Sequence, residues 1–196
     1  MEALRQEKLS ILEYVELERE SGKRYDFHDG MVYAHAGGSI NHSMISFNVS
    51  FNLELEIRKK EKKCRTFGSD TKVGIETRNS YLYPDILVIC GKIDKSKTEA
   101  EAVVNPSLVV EVLSKGTSDY DRSEKFDKYR SLDSLKEYVL VSQEKPIVEI
   151  FERVNDLWRI VKIEGLEEKV YFNSVGVEIE MAEIYRDVVF PQLRRI

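Results

Sequence analysis

The 196-residue sequence has only four prolines, which is typical of a globular, soluble protein. It is also poor in cysteine and in long hydrophobic runs, and each of these shortages excludes a class of protein. The two cysteines, Cys64 and Cys90, lack the spacing of a metal site, and we expect free thiols, buried in strands, in a reducing cytoplasm. No stretch approaches the roughly 18 consecutive apolar residues of a transmembrane helix, so we expect no membrane span.

The balance of charge is the next constraint. The sequence has 30 lysines and arginines against 35 aspartates and glutamates, a net charge of −5. A protein that coats nucleic acid without specificity is usually basic, so contact with DNA must come from a local basic patch or a bound cation. The opening MEALRQEKLS has no apolar core, so we expect no signal peptide and a cytoplasmic protein. The length suits one domain, residues 1–196.

The N-terminal part predicts a helix followed by a hairpin. Apolar residues recur at helical spacing over 9–21, Ser10 and Glu13 form a capping box, and Gly22 ends the helix. The segment KRYDFHDGMVYAHA alternates apolar and polar residues around Asp29-Gly30, which is typical of a hairpin turn.

The longest helical segment begins after Ser39, a suitable N-cap, and ends in the polar run RKKEKK. Its apolar residues recur every three or four positions. We expect the buried stripe to consist of Met44, Phe47, Phe51 and Leu55, widened by Ile45, Val49 and Leu53.

The rest of the chain predicts three strands, a helix and a strand, then a C-terminal β-meander. This order favours an α/β (α+β) fold in which helices flank a mixed central sheet, with its core over about residues 39–142.

Two acids interrupt strand-like segments. Asp85 stands at the start of the apolar run ILVIC, and Glu111 lies inside the apolar run LVVEVL. An ionised glutamate buried without a partner is costly. If the two strands are neighbours, both carboxylates reach one point, where a divalent cation would offset their repulsion. Oxygen ligands of this kind suit Mg²⁺ or Mn²⁺.

Each acid alone has a simpler interpretation. Pro84-Asp85 is also a common turn, and Glu111 is also explained by a salt bridge in the core. The pair, each in strand context, is more informative than either residue.

A lysine completes the pattern. In SDYDRSEKFDKYRSL, Lys125 shares a helix face with Lys128 and Tyr129. The helix follows the Glu111 strand directly, so a lysine near its start can point back toward that strand. Such an amine can orient a water or stabilise a phosphate. The alternative is an ordinary solvated lysine.

The segments YPDILVI, SLVVEVLSKGT and DYDRSEKFDKYRSLDSLKEYVLVS resemble a restriction-endonuclease-like family that is expanded in cyanobacteria and belongs to the PD-(D/E)xK nuclease superfamily. KRYDFHDGMVY and SINHSMISFNVSFNL resemble the opening hairpin and first core helix of the same family. The resemblance covers roughly residues 9–190. It implies a core of helix, three strands, helix and strand, and Mg²⁺-dependent cleavage of phosphodiester bonds.

The resemblance also implies a set of site residues. Asp85 and Glu111 are the expected metal ligands, with the backbone carbonyl of Val112 as a further ligand. The superfamily places its lysine two residues after the acid, where this sequence has Leu113. In this family the lysine lies on the following helix, which makes Lys125 the matching position.

Further residues are candidates for the surroundings of the site. Lys115 is close to Glu111 in sequence but ranks below Lys125, and Lys128 is a third possibility. His42 either borders the site or caps the long helix. Asp70 is either an outer acid or a turn residue, and Tyr129 is expected to pack beside Lys125.

The resulting hypothesis is a Mg²⁺- or Mn²⁺-dependent endonuclease acting on DNA as a homodimer, with RKKEKK and KYR as local phosphate contacts. The rival hypothesis is a catalytically inactive protein with the nuclease fold that acts as a nucleic-acid-binding or regulatory module. A third is a small-molecule hydrolase with the same metal site.

Overall fold

The computed structural model describes residues 8–34, 38–114 and 116–190. The helices are α1 (Ile11–Ser21), α2 (Ile40–Lys59), α3 (118–129) and a single turn, Met181–Ile184. Strands β1 to β12 are, in chain order, Tyr25–His28, Met31–Ala34, Cys64–Gly68, Val73–Ile75, Ser80–Leu82, Ile86–Cys90, Leu108–Leu113, Glu137–Ser142, Ile147–Val154, Leu157–Glu164, Lys169–Phe172 and Val177–Glu180.

The central sheet has six strands in the order β10-β9-β8-β7-β6-β3. Strands β7 and β8 are parallel and joined through α3, while the other neighbours are antiparallel. Every residue of β7 is buried, as expected of a strand that is covered on both faces. The predicted mixed sheet with flanking helices is therefore confirmed.

A second sheet, of four strands in the order β2-β1-β5-β4, holds the N-terminal hairpin. Two segments that look like single strands in the sequence are each divided between the sheets, giving β3 and β4 from one and β5 and β6 from the other. Within the second segment, Tyr83, Pro84 and Asp85 carry the chain from one sheet to the other. Proline suits this crossing because it has no N–H to donate to a ladder.

Local sequence signals at the helix ends and in the hairpin are confirmed. Ser10 and Glu13 form both bonds of the capping box, and Gly22 ends α1 in a left-handed conformation. Ser39 caps α2 by accepting a hydrogen bond from the amide of His42. Asp29-Gly30 has positive φ at both residues and forms the turn between β1 and β2.

The predicted buried stripe of α2 is wrong in its main members. Phe47 and Phe51 are 68% and 55% exposed, with their rings stacked 6.1 Å apart. The helix instead buries the neighbouring stripe of Ile45, Val49, Leu53 and Ile57. Both stripes have helical spacing, so only the packing of α2 on the central sheet selects between them. Within the described ranges, no helix is both long and apolar enough to cross a bilayer.

The prediction of free thiols is also wrong. Cys64 and Cys90 lie directly opposite each other on the antiparallel pair β3 and β6, and they form a disulfide. The two residues are 26 positions apart in sequence. Only the register of the two strands brings their sulfur atoms together.

The C-terminal strands divide between two sheets. Strands β8, β9 and β10 follow one another as an antiparallel meander in the central sheet. Strand β11 leaves that sheet and pairs with β12 in a two-stranded ribbon. The apolar side chains of this ribbon, together with Met181 and Ile184, join the core under α2.

Candidate functional site

Asp85 and Glu111 lie side by side at the junction of β6 and β7. Ile86 pairs with Val110 in the antiparallel register, which places the preceding Asp85 opposite Glu111. The amide of Asp85 donates to Glu111 Oε2 at 3.4 Å, and the amide of Val112 donates to Asp85 Oδ2 at 2.7 Å. Each carboxylate is therefore held by the backbone of the other strand.

Lys125 reaches this pair from α3. Its Nζ lies 2.7 Å from Glu111 Oε1 and 3.7 Å from Asp121 Oδ1. The side chains of all three residues are at most 6% exposed. Asp121 and Lys125 mark the ends of a π-helical turn between two α-helical segments, and such turns are frequent at functional sites.

The electrostatics of this buried group are dominated by desolvation and by the carboxylates. Burial raises the pKa of Glu111 well above its usual range, and Asp85 and Asp121 raise it further against the opposing effect of Lys125. Burial raises the pKa of Asp121 as well. Burial alone would lower the pKa of Lys125, but the carboxylates, Glu111 first, outweigh it and keep this pKa well above its ordinary value. The ammonium therefore stays charged.

His42, in the first turn of α2, contacts the other acid. Its Nε2 lies 3.2 Å from Asp85 Oδ2. Burial works against the charged forms of both residues, but their mutual contact prevails, raising the pKa of His42 and lowering the pKa of Asp85. His42 thus borders the site, as one of the two sequence interpretations proposed.

Tyr129 and Lys128 are both buried on α3. The Tyr129 hydroxyl has no hydrogen-bond partner among the described residues. Lys128 does not reach the two acids. Its Nζ lies 4.9 Å from the centre of the Tyr120 ring and 3.8 Å from Glu124, and burial lowers its pKa. Of the described lysines, Lys125 is therefore the one that the structure brings to Glu111.

Other predicted site residues are placed elsewhere. Asp70 lies in the turn after β3, where its exposed carboxylate pairs with Arg24 at 3.0 Å. Lys115 lies outside the described residues. At Val112 the group that contacts Asp85 is the amide, and the carbonyl as a metal ligand stays a prediction.

Asp121 is a site residue that the sequence reasoning missed. It is 4% exposed, its amide donates to the carbonyl of Thr117, and its own carbonyl accepts a bond from the Tyr138 hydroxyl. Its position four residues before Lys125 was the available signal, because such pairs share a helix face. That signal is weak in a helix as rich in charge as this one.

A cleft of about 560 Å³ opens beside Asp85 and His42. Exposed Lys23 and Arg24 lie on its wall, with the hydroxyl-bearing residues Ser43, Ser46 and Ser69. The basic run RKKEKK is at the far end of α2, about 25 Å from His42 at 1.5 Å per residue. The cations on the wall of this cleft are therefore Lys23 and Arg24 and not the residues of RKKEKK.

The donor set fits a hard divalent cation. Two carboxylates converge in a buried group where negative charge is in excess, which such a cation would neutralise. No group of three or more His, Cys, Asp or Glu side chains in the described part of the chain forms a ready cage. Mg²⁺ commonly takes one or two carboxylates and completes its shell with water and substrate phosphate, so two carboxylates are sufficient.

Paired carboxylates on neighbouring strands, a lysine from the crossover helix and a mixed sheet together define a restriction-endonuclease-like fold. The model of the Uma2 family, described as "Putative restriction endonuclease", matches residues 11–182. The chain belongs to this family. Family and fold together indicate a restriction-endonuclease-like nuclease.

Two relatives from Synechocystis sp. are similar over most of their length. Uncharacterized protein sll1609 is 34% identical over 170 residues, which cover 86% of this chain and 95% of the relative. Uncharacterized protein slr1290 is 33% identical over 186 residues, covering 93% and 94%. A crystal structure described as a putative nuclease belonging to DUF820, from Anabaena variabilis, aligns with a TM-score of 0.68 at 12% identity, covering 84% of this chain and 90% of that one. This last likeness concerns the fold.

Proposed function

We propose that the protein is a Mg²⁺-dependent endonuclease that hydrolyses phosphodiester bonds in DNA, working in the cytoplasm as one domain over residues 1–196. The observation that supports this most strongly is the contact of Lys125 with Glu111 next to Asp85, which itself lines an open cleft. Mn²⁺ is the expected substitute for Mg²⁺, since both prefer oxygen ligands.

Asp85 and Glu111 would hold the cation, with the carbonyl of Val112 as a further ligand. When bound there, the ion would neutralise charge on the scissile phosphate and lower the pKa of a coordinated water. The charged Lys125 would hold the attacking water and stabilise negative charge on the phosphate as the bond breaks. His42 would keep Asp85 oriented through its 3.2 Å contact.

The cleft supplies a path for the polyanion. Lys23 and Arg24 would contact backbone phosphates, and the serine hydroxyls of the cleft wall would donate to phosphate oxygens. These contacts position a strand without reading its sequence. They also explain how a protein of net charge −5 could approach DNA.

We also propose a homodimer, supported by the exposed apolar stripe of α2. Ile40, Phe47 and Phe51 are 80%, 68% and 55% exposed, and a contiguous apolar patch of this kind marks an interface in many proteins. In sedimentation velocity, we expect a dimer that dissociates when both phenylalanines become serine and persists in Leu157→Ser, which alters an equally exposed residue of β10. A monomeric wild type would contradict this.

The test of activity is cleavage of plasmid and single-stranded DNA with Mg²⁺ or Mn²⁺. We expect metal-dependent nicking that falls at least about a hundredfold in Asp85→Ala and in Lys125→Met. Lys162→Met, which changes an exposed lysine paired with Glu164 on β10, is the matched control and should cleave normally.

Cleavage that survives Asp85→Ala would exclude this site. Absence of cleavage from a protein that binds Mn²⁺ would favour the inactive, nucleic-acid-binding alternative. Hydrolysis of small phosphodiesters but not of DNA would favour the small-molecule hydrolase.

A further inference from the structure

The ammonium of Lys125 has two carboxylate neighbours, and only one of them is also a proposed ligand of the cation. Glu111 is the nearer, at 2.7 Å, and Asp121 lies 3.7 Å away on the same helical turn. Glu111 is also a proposed cation ligand. A divalent cation that binds its carboxylate must share or displace the ammonium, because the two positive charges repel each other.

A buried ammonium that loses its partner is strongly destabilised. Lys125 is 5% exposed, so bulk water does not solvate the ammonium well enough to replace the lost carboxylate. Asp121 is the next acceptor along the same turn, and its backbone is fixed at both polar groups by Thr117 and Tyr138. Asp121 therefore offers the ammonium a second carboxylate on a fixed backbone, at 3.7 Å instead of the 2.7 Å that separates it from Glu111.

The count of charges leads to the same residue. With His42 as the neutral imidazole, the ionised forms of Asp85, Glu111 and Asp121 carry three negative charges against the single positive charge of Lys125. The surplus of two negative charges equals the charge of one divalent cation. Two further buried charges nearby, Asp26 and Lys128, have opposite signs and leave this balance unchanged. Without Asp121, lysine and divalent cation together would leave a buried positive charge.

We propose that Asp121 is a positioning residue that receives the ammonium of Lys125 when a divalent cation binds Glu111. This inference rests on the proposed function. The π-helical turn contributes to this role, because it carries both the ammonium donor of Lys125 and the carboxylate acceptor of Asp121. The inference also means that lysine and metal occupy the site together, as the proposed reaction requires.

The test is a double-mutant cycle on the binding of Mn²⁺ to the full chain, followed by electron paramagnetic resonance of the free ion. Asp121→Asn should weaken binding at least about tenfold while Lys125 is present, and less than about threefold in the Lys125→Met background. Asp127→Asn removes an exposed carboxylate from the same helix and should leave binding unchanged. Thermal unfolding verifies that each variant is folded.

Equal losses in both backgrounds would overturn the inference, since Asp121 would then act on the metal or the fold independently of Lys125. Unchanged binding in Asp121→Asn would overturn it as well. A wild type that binds Mn²⁺ no better than Glu111→Gln is a separate outcome. It would remove the metal site, and with it the proposed function on which the inference depends.

Discussion

Two buried lysines, Lys72 and Lys125, each lie between two carboxylates, and their surroundings differ. Lys72 Nζ is 2.6 Å from Glu18 and 3.4 Å from Glu99, and its side chain is 6% exposed, as is that of Lys125. Glu18 also accepts hydrogen bonds from the hydroxyls of Tyr14 and Tyr83 and from the amide of Tyr25. The rings of those two tyrosines flank the ammonium. The Glu18 carboxylate is thus fully bonded within the protein, although Glu18, Lys72 and Glu99 also line a cleft of about 630 Å³.

The Lys125 cluster has more carboxylates than its lysine can neutralise. It contains the additional carboxylate of Asp85, it borders the cleft, and the buried Tyr129 hydroxyl near it has no hydrogen-bond partner among the described residues. Its excess negative charge contributes to the raised pKa of Glu111. A buried ion pair beside a cleft therefore does not by itself indicate function. What distinguishes the Lys125 cluster is its larger surplus of ionisable carboxylates over cations, two against the one of the Lys72 cluster.

The largest expected effects come from replacing each lysine by methionine. Lys72→Met should lower the free energy of unfolding by about 3–5 kcal/mol, because it leaves buried carboxylates without their cation. Mn²⁺ should not restore that stability. The Lys72→Met variant should still cleave DNA at temperatures below its own, reduced unfolding temperature. Lys125→Met should abolish cleavage, and Mn²⁺ should restore much of its stability by neutralising the remaining carboxylates. Denaturant unfolding with and without Mn²⁺ measures both. Equal rescue of the two variants would remove the distinction between the clusters.

A smaller effect is expected when each cluster loses a tyrosine hydroxyl. Tyr83→Phe removes a hydrogen bond to the Glu18 carboxylate and should cost about 1.5–3 kcal/mol, as for bonds to charged groups. Tyr129→Phe removes a buried hydroxyl without a partner among the described residues and should be neutral or stabilising. Chemical denaturation of both variants decides this. A large loss of unfolding free energy in Tyr129→Phe would show that this hydroxyl does form a stabilising hydrogen bond.

The smallest expected effect concerns pH, and only the Lys125 cluster should show it through His42. Because the folded-state pKa of His42 is raised by Asp85, its contact stabilises the fold below the ordinary value of 6.5 and fades as pH rises through the folded value. Asp85 stays ionised throughout this range, since its own pKa is lowered. Without divalent cations, His42→Gln should therefore cost about 1 kcal/mol near pH 5.5 and little near pH 9. A cost that grows with pH would contradict the assigned ion pair.

Local signals in the sequence predicted the ends of elements well. The capping box of Ser10 and Glu13, the cap at Ser39 and the turn at Asp29-Gly30 depend on bonds between residues a few positions apart. Such bonds form in much the same way whatever surrounds them. The choice between the two apolar stripes of α2 depends on a sheet built from distant segments, which explains why Phe47 and Phe51 were placed on the wrong face.

The site was predictable in part for a related reason. Asp85 and Glu111 stand out because acids are unusual in apolar strands, and the family resemblance directed attention to Lys125. Asp121 gave no comparable signal, since exposed acids are common on helices and its burial follows from the packing of α3 on β7 and β8. The cations of the cleft were likewise unpredictable, because Lys23 and Arg24 reach it only through the placement of the N-terminal sheet.

The sequence by itself determined the order of helices and strands, the caps and turns, and the residue types that a metal-dependent nuclease requires, because these depend on short-range bonds and composition. Only the tertiary structure decided that Cys64 meets Cys90, that Phe47 faces outward, and that Lys125 lies between Glu111 and Asp121. The physical reason is register. Contacts between residues tens of positions apart exist only once strands have paired and α3 has packed across them.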